Sequence, residues 1–274
     1  MQIKVNNFKL KETLLSGQCF RVFKNEDSSF TIILKDRIVI LKQIEDVIII
    51  DSNNRDDLEN VVKEYFDLNR DYKKINKQLQ TDNIMKNVIE LSSGYRIMNQ
   101  NPFEMCISYI ISQNNNVKRI SNSIEKICFK YGKKIIYNEK EYYMFPSYDE
   151  IKDADINSLR ETGIGFRDKY IKDFLDKYSQ LKDINKLSTN DALEELMTIK
   201  GIGLKVASCI LLFGYKRLDS FPIDTWVKKF ISENYEIKND QKSIEQFTKE
   251  KFGKYSGVAI QYMYHSQRNI KNKQ

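Results

Sequence analysis

An α+β fold is predicted, an N-terminal antiparallel β domain followed by an all-helical domain, and two observations predict it. Phe30 to Lys35 (FTIILK), Arg37 to Lys42 (RIVILK) and Asp46 to Asp51 (DVIIID) are short β-branched runs separated by charged turns, as in neighbouring antiparallel strands. After Asp56 the apolar residues recur at helical spacing, and helices then dominate to the end of the chain. The switch divides the chain into residues 1–85, a β domain with trailing helices, and residues 86–274, a helical domain. With 274 residues, 41% hydrophobic and 12% aromatic, the chain can bury a real core.

The helical signals come in order: DDLENVVKEYFDL from Asp56, YKKINKQL from Tyr72 and DNIMKNVIELSS from Asp82. Pro102 precedes FEMCISYIISQ, which suits the first turn of a buried helix. The runs KEYY and KNKQ read as solvated surface. TGIGFRDKY and KGIGLKVAS each set a glycine turn before a basic residue, with no tandem repeat or low-complexity linker around them.

Composition narrows the function classes. A net charge of +7 suits a polyanionic partner, although a basic balance is also common on a solvated surface. The start MQIKVNNFKL has no apolar signal core, and no run of about 18 apolar residues occurs, so no membrane partner and a cytoplasmic location, on the nucleoid in a prokaryote, are expected. Cys19, Cys106, Cys128 and Cys209 are scattered, which argues against structural zinc or an iron–sulfur cluster. The single histidine, His265, leaves no basis for a Ser-His-Asp triad or an HExxH zinc site, and is expected to pack rather than catalyse.

Lys200 to Asp224, KGIGLKVASCILLFGYKRLDSFPID, carries the chemistry. Gly201 and Gly203 flank Ile202 in a turn that can lay backbone N–H groups and a helix N-terminus against a phosphate. Lys205 and Cys209 share a face of the following helix, while Val206, Ile210, Leu211 and Phe213 supply its buried side. Apolar neighbours are expected to desolvate Lys205 and favour the neutral amine, a nucleophile able to form a Schiff base. Asp224 offers the complementary carboxylate.

This segment resembles the helix-hairpin-helix/GPD DNA glycosylases, and within them the bifunctional 8-oxoguanine DNA glycosylases. Four further blocks resemble the same family in the same order: LLSGQCFR from Leu14, NPFEMCISYIISQNNNVKRI from Asn101, LRETGIGFRDKY from Leu159 and YSGVAIQYMY from Tyr255. Together they span nearly the whole chain. The resemblance implies that the helical domain is split into two lobes with double-stranded DNA entering the cleft, that the enzyme acts as a monomer, and that no metal or cofactor serves the chemistry. It implies Lys205 as the nucleophile and Asp224 as the carboxylate beside the sugar. Asn114 would fill the space of the extruded nucleotide, Arg119 and Arg167 would read the orphaned cytosine through N3 and O2, and Phe166 would wedge the duplex. An Asn-rich loop also ordinarily caps helices, and an aromatic at a helix start also packs in cores.

For the lesion, the Gly17 carbonyl would accept from the N7–H that 8-oxoguanine has and guanine lacks. Cys209 and Tyr264 would lie on the two faces of the base. Two departures stand out: Ile260 occupies the position where the family often has a Gln reading the Watson–Crick edge, with Gln261 next to it, and Trp226 stands where eukaryotic relatives have a phosphate-contacting His. The 8-oxoguanine glycosylase/lyase is the preferred reading. A glycosylase for other damaged bases and a non-catalytic DNA-binding module are the alternatives, and Lys205 together with Asp224 speaks against the latter.

Overall fold

The structure, a computed structural model, describes residues 1–34 and 36–271, the side chains of 268–271 excepted. Lys35, expected to end a strand, and the KNKQ run as surface fall outside the described residues and side chains. The chain begins with β1 (Gln2–Lys4), α1 (Leu10–Leu14), β2 (Val22–Lys24), β3 (Phe30–Leu34), β4 (Arg37–Ile44) and β5 (Val47–Ser52). These strands form one antiparallel sheet in the order β1-β5-β4-β3-β2. Ile32 faces Val39 and Leu41 faces Ile50, so the alternating apolar residues of neighbouring strands fall on one face. That face is buried under α1 and α2 (Leu58–Tyr65), where Leu58, Val62 and Phe66 complete the first core.

Next come α3 (Tyr72–Leu79), α4 (Asn83–Leu91), α5 (Pro102–Ser112) and α6 (Val117–Tyr131). Asp71, Asp82, Asn101 and Asn116 cap the N-termini of these four helices, each accepting a backbone N–H in the first turn. Tyr72, Ile75, Leu79, Met85 and Val88 join the core of the helical domain. Of the helices that follow the strands, α2 packs on the sheet while α3 and α4 pack with the helical core.

Helices do not hold unbroken to the end. β6 (Lys134–Tyr137) and β7 (Lys140–Tyr143) form a hairpin turning at Asn138 and Glu139, both at positive φ. The KEYY run is thus a strand rather than featureless surface: Lys140 and Glu141 are exposed, but Tyr142 packs with Phe23 and Tyr137 around Ile33 and Ile38 on the outer face of the large sheet. Tyr137 Oη also donates to Asp51 Oδ2 at 2.5 Å.

Beyond the hairpin lie the short α7 (Tyr148–Ile151) and α8 (Ile156–Leu159), then α9 (Asp168–Lys177), α10 (Thr189–Met197), α11 (Leu204–Gly214), α12 (Thr225–Tyr235), α13 (Gln241–Phe252) and α14 (Ser256–Lys271). The glycine turn expected before Arg167 is a π-turn at Arg160–Ile164 running into a 3-10 turn at Gly165–Arg167. α11 is buried from Val206 onward and packs along α5, which makes these two helices the centre of the helical domain. Among the described residues no helix is long and apolar enough to cross a membrane.

Candidate active site and DNA-facing surface

The hairpin between α10 and α11 is held from below. Gly201 has φ +83°, and a Cβ there would lie 2.4 Å from the ring of Tyr170, so both the turn and its packing on α9 require glycine. Asp173, one turn further along α9, accepts from the Lys200 N–H at 2.8 Å and from Lys177 Nζ at 2.9 Å. Gly203 differs: it has ordinary φ, is exposed, and a Cβ would meet nothing within 4 Å. Its missing side chain leaves the start of α11 uncovered, and no side chain caps that helix. The unsatisfied N–H groups of the first turn therefore face outward, the geometry of an anion site.

Lys205 is the second residue of α11 and is exposed, so the expected desolvation by apolar neighbours is not met. The helix enters the core only one residue later. Asp224 is the N-cap of α12, its Oδ1 accepting from Trp226 N at 3.0 Å and Val227 N at 2.8 Å. This fixes the carboxylate rotamer and leaves Oδ2 without a hydrogen bond among the described residues. Lys205 and Asp224 form no ion pair with each other, yet both act on Cys209. Burial pushes the Cys209 thiol up to about 12, with Lys205 pulling down and Asp224 pushing up. The Lys205 and Asp224 side chains thus both lie within electrostatic reach of the buried Cys209 thiol.

The same thiol influences Tyr109 on α5. Tyr109, buried on α5, has its hydroxyl raised well above the usual range by burial, with Cys209, Tyr95, Cys19 and Tyr264 adding to the effect. Those residues bring α11, the loop after α1 and α14 together around one ring. Gly17 on that loop has φ +91°, and the next residue, Gln18, accepts at its carbonyl from Tyr109 Oη at 3.4 Å. Tyr264 is 37% exposed and meets Trp226 edge-on at 6.3 Å, so Trp226 braces the Tyr264 ring.

The adjacent helix positions Ile260 and Gln261 differ in their surroundings. Ile260 is 0% exposed inside the helical core and presents no edge to a base. Gln261 is 8% exposed, and its Oε1 accepts from Tyr95 Oη at 3.4 Å. Ser16, next to Gly17, also pairs with that tyrosine hydroxyl. The helix phase of α14 therefore turns Gln261, not Ile260, toward the Gly17 loop. His265 stacks on Tyr95 at 4.4 Å and is buried, a packing role as expected.

The opposite-strand residues divide as well. Asn114 is exposed at φ +47° between α5 and α6, while its neighbour Asn116 serves as the helix cap. Arg119 is exposed, and its guanidinium makes no hydrogen bond or ion pair among the described residues. Phe166 stands 55% exposed, edge-on to Tyr170 at 6.0 Å and with the Arg167 guanidinium over its ring at 4.4 Å. Arg167 does not match a free two-point reader of cytosine. It is 7% exposed, its Nε donates to Gln113 O at 2.9 Å, Nη1 to Ile164 O at 3.0 Å, and Nη2 to both Gln113 O and Asn114 O, the latter at 3.0 Å. Four of its N–H groups hold backbone carbonyls, so at most one remains for a base.

Sequence reading missed the supports: Gln18, Tyr95, Tyr109, Tyr170 and Asp173. Gln18 had a local signal, an amide set between Gly17 and the apolar pair Cys19 and Phe20, but most of its partners lie far along the chain.

Comparison with known proteins identifies the family. Residues 1–106 match the family model of the 8-oxoguanine DNA glycosylase N-terminal domain, and residues 107–254 match that of the HhH-GPD superfamily of base excision DNA repair proteins. A probable N-glycosylase/DNA lyase of Methanothermobacter thermautotrophicus is 27% identical over 235 residues, covering 77% of this chain and 75% of the relative. The structure of MBOgg1 in complex with a low-affinity DNA ligand is similar with a TM-score of 0.93 and 37% identity, covering 98% of this chain and 96% of that one. The Clostridium acetobutylicum 8-oxoguanine glycosylase/lyase bound to double-stranded DNA containing cytosine opposite 8-oxoguanine gives 0.90 and 36%, over 100% and 99% of the two chains. Two matched domains in the same order and near-complete structural overlap identify the chain as a member of the 8-oxoguanine DNA glycosylase family of the HhH-GPD superfamily, a DNA glycosylase and abasic-site lyase.

Proposed function

We propose that this enzyme flips 8-oxoguanine out of double-stranded DNA, preferentially opposite cytosine, excises it through a Schiff base on Lys205 and cleaves the strand by β-elimination. The observation that carries this reading is an exposed amine at an uncapped helix start, beside a carboxylate that its own helix holds in place.

In the first step the Lys205 nitrogen forms a bond to C1′ as the C1′–N9 bond breaks, and the base leaves with the bonding pair and then takes a proton. Asp224 stabilises the positive charge that develops on the sugar. Ring opening with loss of the amine proton gives an imine between Nζ and C1′. The imine acidifies C2′; removal of a proton there forms the C2′–C3′ double bond and expels the 3′ phosphate. Lys205 needs no burial in the free protein, because DNA closing over the mouth of α11 excludes water at the moment of use. Residues Gly201 to Gly203 and the first turn of α11 would take a DNA phosphate.

In the base pocket, Gly17 would accept N7–H, Cys209 and Tyr264 would cover the two base faces, and Gln261 would reach the Watson–Crick edge. Asn114 would occupy the vacated stack, Arg119 would donate to the orphaned cytosine, and Phe166 would bend the duplex. The most direct test is borohydride trapping on duplexes carrying 8-oxoguanine opposite each of the four bases. A covalent complex formed fastest opposite cytosine is the expected result. No trapped complex with an active preparation would refute the Schiff base, and equal rates opposite all four bases would refute the preference.

A further inference from the structure

We propose that Gln18 is a positioning residue for lesion specificity, locking the Gly17 peptide so that its carbonyl cannot turn away from a normal guanine; this rests on the reading of Gly17 as the N7–H acceptor.

Gln18 is 1% exposed, and its amide is fully employed. Nε2 donates to Arg96 O at 2.8 Å and to Ser16 Oγ at 3.1 Å, while Oε1 accepts from Met98 N at 2.9 Å. A carbonyl and an N–H two residues apart are what a neighbouring strand would satisfy, so the side chain acts as a one-residue strand against Arg96–Met98. That segment is itself built into the interior. Ile97 lies in the helical core and Met98 in the β core, both 0% exposed, and Ile97 N donates to Tyr72 Oη at 3.1 Å. The main-chain carbonyl of Gln18 is clamped separately, by Gln100 Nε2 at 2.8 Å and by Tyr109 Oη.

The peptide joining Gly17 to Gln18 is therefore fixed on its far side by five hydrogen bonds, one to Ser16 on the same loop and four to distant segments, among them the stretch where the two cores meet. This matters because Gly17, at φ +91°, lies in a region glycine explores freely. A carbonyl distinguishes N7–H from a bare N7 only while it is held in place. If the peptide can rotate, the repulsion that rejects guanine relaxes, and the bond that favours 8-oxoguanine weakens with it.

The test is Gln18→Met, which keeps length and removes all three side-chain bonds. Single-turnover excision is measured on 8-oxoguanine and guanine duplexes, with strand cleavage at a preformed abasic site as the measure of Lys205 chemistry. The expected result is an 8-oxoguanine-to-guanine ratio lowered by about tenfold or more, the worth of a lost buried hydrogen bond, with abasic-site cleavage within about threefold of wild type. A preserved ratio, or excision and abasic-site cleavage falling together, would overturn the proposal. Gln18→Glu gives a second readout if the methionine variant does not fold. The introduced carboxyl repels Arg96 O when ionised and donates to it when protonated, so discrimination should recover from pH 8 toward pH 6, and a ratio flat with pH would overturn the proposal. A wild-type arm uses an 8-oxoguanine analogue with C–H in place of N7–H. If wild type excises it as fast as 8-oxoguanine, the Gly17 reading fails and the Gln18 proposal falls with it; slow excision of the analogue beside an intact ratio in the variants sinks Gln18 alone.

Discussion

Arg167→Ala separates two roles that the sequence left merged, since an arginine that reads cytosine and an arginine that builds the Asn114 turn look the same in one dimension. The guanidinium donates to three carbonyls. Charge-assisted bonds of this kind contribute about 1.5 to 3 kcal/mol each. Water can replace the donor at Asn114, which is exposed, and less readily at Ile164, which is fully buried. The free protein should therefore lose about 2 to 4 kcal/mol, less than the sum of three bonds. Arg167→Lys should fall between, because an ammonium keeps the charge but cannot span carbonyls of two loops as a planar fork does. Urea denaturation measures stability, and single-turnover excision opposite each of the four bases measures recognition. The expected outcome is a clear loss of stability, slower excision opposite every base and a little-changed ranking among them. Stability within about 0.5 kcal/mol of wild type, together with a flattened ranking, would refute the reasoning and make Arg167 a base reader.

Arg119→Ala should do the converse, leaving urea stability unchanged and making excision more even across the four opposite bases; an unchanged ranking would assign Arg119 to phosphate or solvent. Gln261→Ala should slow 8-oxoguanine excision about tenfold, the value of one lost hydrogen bond, whereas Ile260→Gln should destabilise the protein by about 2 kcal/mol or more through an unpaired amide in the core. A silent Gln261→Ala in single-turnover assays would return the edge-reading role to another group. Asp224→Asn should bind lesion DNA yet lose most turnover, with unaltered single-turnover rates counting against its electrostatic role. Glu104 lines a cleft between the two domains, where burial raises its carboxyl to about 7, Arg21 pulls it down and Glu125 pushes it up. A carboxyl raised on folding contributes stability that is present below its unfolded pKa and lost as pH rises through about 7, so Glu104→Gln should match wild type near pH 4.5 and exceed it at pH 8 by up to about 3 kcal/mol. Parallel melting curves across that range would contradict the burial argument.

Much of the architecture was legible because long elements carry their own period. YKKINKQL is a helix over its full expected span, and the three long strands start within one residue of where their β-branched runs begin. β1 and β2 are three residues each, too short for alternation to register, and the hairpin from Lys134 to Tyr143 hides its pattern under charged residues. The hairpin-to-Asp224 segment was legible because its chemistry is contiguous. What escaped depends on distant packing. Lys205 is exposed because α11 enters the core one residue later, Arg167 is occupied because carbonyls of another loop reach it, and the choice between Ile260 and Gln261 is made by how α14 docks. Gln18 stands in the LLSGQCFR block, yet Arg96, Met98 and Gln100, which explain it, meet it only in three dimensions.

The central claim is that one amine, on Lys205, performs both base excision and strand cleavage. Borohydride reduction during turnover on 8-oxoguanine DNA, followed by proteolysis and mass spectrometry of the cross-linked peptide, tests it most directly. The account predicts a single adduct on Lys205, with Lys205→Gln still binding lesion DNA but giving neither free base nor adduct. An adduct on Lys200, Lys216 or the amino terminus, or trapping that survives Lys205→Gln, would contradict it.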